Sequence, residues 1–111
     1  MRITITQTVR LIDSSTFEAI VSAVDEAGNT INRATIVYER AHEIYAAYKS
    51  LFKALNWLRR YGQVDIELIT NQKSLVHELN GSLNSNTTLN RILNESLMKQ
   101  NASITKAEYR E

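Results

Sequence analysis

Residues 34–58 read ATIVYERAHEIYAAYKSLFKALNWL, and the spacing of their apolar side chains changes partway along. Up to Tyr38 the chain is rich in β-branched residues, and Thr30 to Tyr38 reads as a strand. From His42 onward, Ile44, Ala47, Tyr48, Leu51, Ala54, Leu55 and Leu58 recur every three or four residues, the spacing of an amphipathic helix. Gly62 is the expected C-terminal cap of that helix. Arg59 and Arg60 just before it suit the negative end of the helix dipole.

Toward the N-terminus, Ile3, Ile5, Val9 and Leu11 alternate with Arg2, Thr4, Thr6, Thr8 and Arg10, which predicts a strand. Gln7 is the one polar residue on its apolar side. Phe17, Ala19, Val21 and Ala23 repeat the two-residue period. Asp13-Ser14-Ser15 and Asp25-Glu26-Ala27-Gly28-Asn29 supply turn chemistry on either side of this second strand, so three antiparallel strands joined by hairpins open the chain.

Toward the C-terminus, Val64, Ile66 and Leu68 alternate with Asp65, Glu67 and Ile69 as a fourth strand, reached from the long helix by a very short connection. Ser74 to Leu79 forms a short helix ended by Asn80-Gly81. Residues 82–88 read as a loop in which Asn86, Thr87 or Thr88 caps the next helix, whose apolar stripe is Leu89, Ile92, Leu93 and Leu97. Ala102 to Tyr109 alternates weakly and is read as a last strand.

The 111 residues suit one domain, 1–111, with one sheet and a few helices. Apolar runs stop far short of the roughly 20 residues that cross a bilayer, and the alternating N-terminus does not have the form of a secretory signal. No membrane association is expected. With no cysteine there are no disulfides, thiolate metal sites or cysteine nucleophiles, and a reducing, cytoplasmic setting fits. A formal net charge of +1 leaves any electrostatic site to local clusters.

Two junctions carry a family resemblance. Glu43-Ile44-Tyr45-Ala46-Ala47-Tyr48-Lys49-Ser50-Leu51 resembles the first-helix motif of the ribonuclease H family, where a metal-binding glutamate precedes small and apolar residues that pack on the sheet. Leu68-Ile69-Thr70-Asn71-Gln72, followed by Leu75, resembles that family's fourth-strand motif, where threonine-aspartate-serine closes the strand. The resemblance implies an α/β, ribonuclease H-like mixed five-stranded sheet: three antiparallel hairpin-linked strands, then helix, strand, helices and strand. It also implies a chemistry in which carboxylates from the first strand, first helix, fourth strand and a terminal helix hold two divalent cations for phosphodiester hydrolysis.

Of those four positions only Glu43 matches. The first-strand position falls at about Gln7, the fourth-strand position is Asn71, and the chain ends at Glu111 before a terminal helix. A neutral amide oxygen binds a hard dication much less well than a carboxylate. The resemblance therefore implies a degenerate member that binds without cleaving and needs no cofactor. The alternative is a divergent nuclease in which Asp13, or Glu108 or Glu111, joins Glu43 around magnesium or manganese.

Other features bear on partners. Lys49, Lys53, Asn56 and Arg60 share one polar stripe of the long helix, which Arg59 and Lys73 extend, and such a stripe neutralises nucleic-acid phosphates or is simply a solvated face. Tyr45, Trp57 and Tyr61 on or beside the helix suit base stacking or a protein interface. His42 beside Glu43 invites acid-base chemistry, although adjacent helical residues point about 100° apart, and His77 reads as a packing or surface residue. Ser14 and Ser15 read as turn residues, with no positioned base to make a nucleophile. An open strand edge is compatible with a homodimer. The expected partner is nucleic acid or a protein. A small structural or inhibitory protein of a mobile element is a further reading.

Overall fold

A computed structural model of the protein describes residues 1–81 and 88–111. The elements are β1 (Arg2–Asp13), β2 (Thr16–Asp25), β3 (Thr30–Tyr38), α1 (Glu43–Trp57), β4 (Val64–Thr70), α2 (Lys73–Leu79), α3 (Thr88–Gln100) and β5 (Ala102–Tyr109). The loop expected over 82–88 lies, but for Thr88, outside the described residues, as do its candidate caps Asn86 and Thr87. Thr88 is the first helical residue of α3.

The sheet is mixed, in the order β3-β2-β1-β4-β5. The opening hairpins make β1–β2 and β2–β3 antiparallel, whereas β4 runs parallel to β1 and β5 parallel to β4. Ile3, Ile5, Gln7 and Val9 of β1 face the same side as Val64, Ile66, Leu68 and Thr70 of β4 and as Ala19, Val21 and Ala23 of β2. On that side α1 lies across β1, β2 and β3, while α2 and α3 pack on β5 and on α1. Fully buried Ala46, Ala47 and Ala54 allow α1 to approach the sheet closely, and Tyr48, Leu51 and Leu55 fill the space toward its neighbours. The buried Tyr48 hydroxyl donates to Glu78 Oε1 (3.1 Å) and accepts from Asn90 Nδ2 (3.2 Å), which ties α1 to α2 and α3.

One boundary departs from the sequence reading. The long helix ends at Trp57 rather than at Gly62, and Gly62 is not in the left-handed region. The Leu58 N–H bonds Leu55 O (3.0 Å) and the Tyr61 N–H bonds Leu58 O (3.1 Å), so the chain leaves the helix through tightened turns. Leu58 still points into the core, which is why apolar spacing overran the helix. The last strand is present, and its weak alternation has a cause. Ile104 pairs with Ile66 but Lys106 with Glu67, so Thr105 is an extra residue that shifts the pleat, its Oγ1 donating to Ile66 O (3.2 Å).

The turn between β2 and β3 is as read. Asp25 Oδ1 accepts from the N–H groups of Ala27 (3.0 Å) and Asn29 (2.9 Å), with Gly28 at φ 86°, and Gly81 follows α2 at φ 72°. Among the described residues no helix is long and apolar enough to cross a membrane.

Candidate functional site

The parallel pair β1 and β4 brings three chain segments together. The backbone N–H of Asn71, one residue past β4, bonds Gln7 O (3.3 Å), and α1 begins close by at Glu43. Here a groove of about 510 Å³ opens, lined by His42, Glu43, Ile44, Asn71, Gln72, Lys73, Ser74 and Tyr109. Its wall therefore joins both motifs singled out in the sequence, with a tyrosine of β5 added.

Gln7 is only 1% exposed and does not open into this space. Its Nε2 donates to Ala47 O (2.6 Å) and Ser50 Oγ (2.8 Å), and its Oε1 accepts from Thr70 Oγ1 (2.7 Å). Ser50 Oγ donates in turn to Ala46 O (2.8 Å), and Thr70 Oγ1 accepts from the Gln72 N–H (3.1 Å). A buried carboxamide is tolerated because both its ends are bonded. A carboxylate here has no proton for Ala47 O or Ser50 and carries a buried charge.

Asn71 is likewise engaged. Its Oδ1 accepts from the Val9 N–H (2.9 Å) and from Gln72 Nε2 (2.9 Å), and its Nδ2 donates to Val9 O (2.9 Å). The side chain thus pairs with the backbone of β1 much as a neighbouring strand would. An aspartate reproduces the two bonds accepted by Oδ1 but turns a lone pair toward Val9 O, where a donor is needed.

Glu43 is exposed and is the one carboxylate of the groove wall among the described residues. Beside it Lys73 holds its ammonium over the Tyr109 ring, 5.6 Å from the centroid. No three His, Cys, Asp or Glu side chains among the described residues gather closely enough to hold a metal ion. Asp13 is the last residue of β1, four residues beyond Val9, or about 13 Å along the strand. Glu108 pairs with Arg110 (3.2 Å) and sits opposite Ile69, on the sheet side away from the helices. Glu111 Oε1 lies 3.5 Å from the Tyr109 hydroxyl.

The basic side chains do not share one surface. Lys49 rests over the Tyr45 ring (5.7 Å), and Tyr45 packs edge-on against Tyr38 of β3 at 6.4 Å. Burial, then repulsion from Tyr45, raises the Tyr38 pKa above its ordinary value. Lys53 is exposed one turn beyond Lys49 on the same helix side. Lys73 belongs instead to the β5 edge and the groove. Arg60 lies past the end of α1, stacked 5.1 Å from the Tyr61 ring centroid.

No protein-family model and no curated protein sequence matches the chain. Solved structures do. The chain is similar to LC11-RNase H1, isolated from compost by a metagenomic approach and crystallised in complex with an RNA/DNA hybrid: TM-score 0.78, 18% identity, covering 96% of this chain and 85% of that one. The N-terminal RNase H domain of rv2228c from Mycobacterium tuberculosis matches with a TM-score of 0.79 at 12% identity, over 100% and 88% of the two chains. A foamy viral protease-reverse transcriptase in complex with dsDNA matches with a TM-score of 0.64 at 12% identity, over 95% and 79%. The fold of this chain is ribonuclease H-like, as the two motifs implied.

Sequence reading missed Tyr109 in the groove and the closed bonding of Gln7 and Asn71. The isolated glutamine on an apolar strand side was the available signal for the second. Nothing signalled Tyr109, because its side depends on the extra Thr105.

Proposed function

We propose that the chain is a ribonuclease H-like module that binds nucleic acid without hydrolysing it. The observation that carries this reading is the Asn71–Val9 pairing. At the place where the resemblance implies a metal-binding aspartate, the side chain is used as both donor and acceptor within the fold, a role an ionised carboxylate cannot fill. Gln7 is spent in the same way, so Glu43 is left as a single anionic donor. That donor set does not fit a pair of hard dications. Binding is supported by Lys49 and Lys53 on the exposed helix side, by Lys73 in the groove, and by structural neighbours solved in complex with an RNA/DNA hybrid and with dsDNA.

The test incubates the purified chain with a labelled RNA/DNA hybrid in magnesium and in manganese, following binding by anisotropy and cleavage on a gel. The expected result is salt-sensitive binding with an intact hybrid, unchanged in Glu43→Gln. Cleavage that disappears in Glu43→Gln overturns the reading in favour of a nuclease. Absence of binding to the hybrid, dsDNA and single strands removes nucleic acid as the partner and leaves a protein in its place.

A further inference from the structure

At the end of α1 remote from Glu43 a second cleft, of about 310 Å³, opens between the helix end and the start of β3. It is lined by Ile31, Asn32, Asn56, Trp57, Arg59 and Arg60. The wall carries two guanidinium groups and no carboxylate. The ion pairs among the described residues are Arg10–Glu18 and Arg110–Glu108, so neither Arg59 nor Arg60 is neutralised by a neighbour.

The other groups are placed to complement them. Arg60 is oriented by its Nη2 bond to the Tyr61 hydroxyl (3.1 Å) and by stacking on that ring. Asn32 Oδ1 accepts from the Arg33 N–H (2.8 Å), which leaves its amino group for a ligand. Trp57 is half-buried, packed on the core and lining the cleft. The nearby carbonyl end of α1 opposes an anion by about half a charge, and two full positive charges outweigh it.

Guanidinium forks match phosphate oxygens, and an indole offers a stacking surface to any base. We infer that this cleft is a nucleotide subsite for single-stranded nucleic acid, with Arg59 and Arg60 holding a backbone phosphate and Trp57 taking the adjacent base. The inference rests on the nucleic-acid reading above but uses none of the groove residues. The 15 residues of α1 separate the two places by about 21 Å.

Trp57 is the only tryptophan of the chain, so its emission reports on the cleft. The experiment titrates the full chain with a short oligothymidylate while recording tryptophan emission, and measures anisotropy of the same oligomer carrying fluorescein. It is repeated with Arg59→Ala/Arg60→Ala. The expected result is a saturable change in emission that tracks the anisotropy. In the variant that change is lost, affinity falls about tenfold or more, and the log–log salt slope drops by about 0.7, the value for one single-strand phosphate. Anisotropic binding with silent emission and an unchanged variant overturns the subsite while the nucleic-acid reading stands. Failure of every nucleic acid to bind overturns both.

Discussion

Asn71 grips Val9 by both polar atoms of its carboxamide, accepting from the Val9 N–H and donating to the Val9 carbonyl, each at 2.9 Å. This two-bond pairing anchors the exit of β4 to β1 at the mouth of the groove. Restoring an acid at 71 therefore does not simply restore a ligand. Asn71→Asp is expected to lower stability by about 1–3 kcal/mol, the cost of leaving Val9 O without its donor, as measured by urea unfolding. It is also expected to confer no magnesium-dependent cleavage of an RNA/DNA hybrid. An Asn71→Asp chain of unchanged stability contradicts the structural role given to the amide.

Gln7→Glu tests the buried network from the other side. The substitution keeps the size but removes two donors and buries a charge, so a loss of about 3 kcal/mol or more is expected by chemical denaturation at neutral pH. Gln7→Met, which buries no charge, is expected to cost less. If the glutamate variant matched wild type, Gln7 would not be held as described.

Lys49→Glu with Lys53→Glu reverses two charges on the exposed side of α1 without touching the core. Affinity for single or double strands at low salt is expected to fall about tenfold or more with a shallower salt dependence, read by anisotropy across a salt series. The melting temperature is expected to stay close to wild type, since neither lysine is buried. Unaltered affinity removes the helix side from the interface.

Tyr48→Phe deletes one hydroxyl at the junction of the three helices. A destabilisation of about 1–2 kcal/mol is expected from the polar groups of Glu78 and Asn90 that lose this partner, visible as a lower urea midpoint with an unchanged slope. Nucleic-acid affinity under native conditions is expected to be preserved.

The order and type of the elements were legible because they rest on spacing: two for Ile3, Ile5 and Val9, three and four for Ile44 to Leu55. Where spacing is ambiguous the reading slipped. Leu58 points inward from a tightened turn as it would from a helix, so the helix was read too long and Gly62 was given a capping role it does not have. The site was legible only in its components. Asn71 and Gln7 stood out as amides where the resemblance implied acids, but their partners are 62 and 63 residues distant in Val9 and Thr70, and no local pattern encodes such pairings. Lys73 was joined to the Lys49 stripe because a linear chain does not reveal that one belongs to the β5 edge and the other to the β3 side.

Thr105 has a consequence out of proportion to its size. Strand side chains point alternately up and down, so a strict alternation from Ile104 would send Tyr109 to the opposite surface from His42 and Glu43. The one supernumerary residue inverts that parity, and the phenol arrives beneath Lys73. Deleting Thr105 itself would leave the ring where it is, because the bulge and the extra residue vanish together, whereas pairing the same sequence without a bulge would carry the ring to the opposite surface of the molecule.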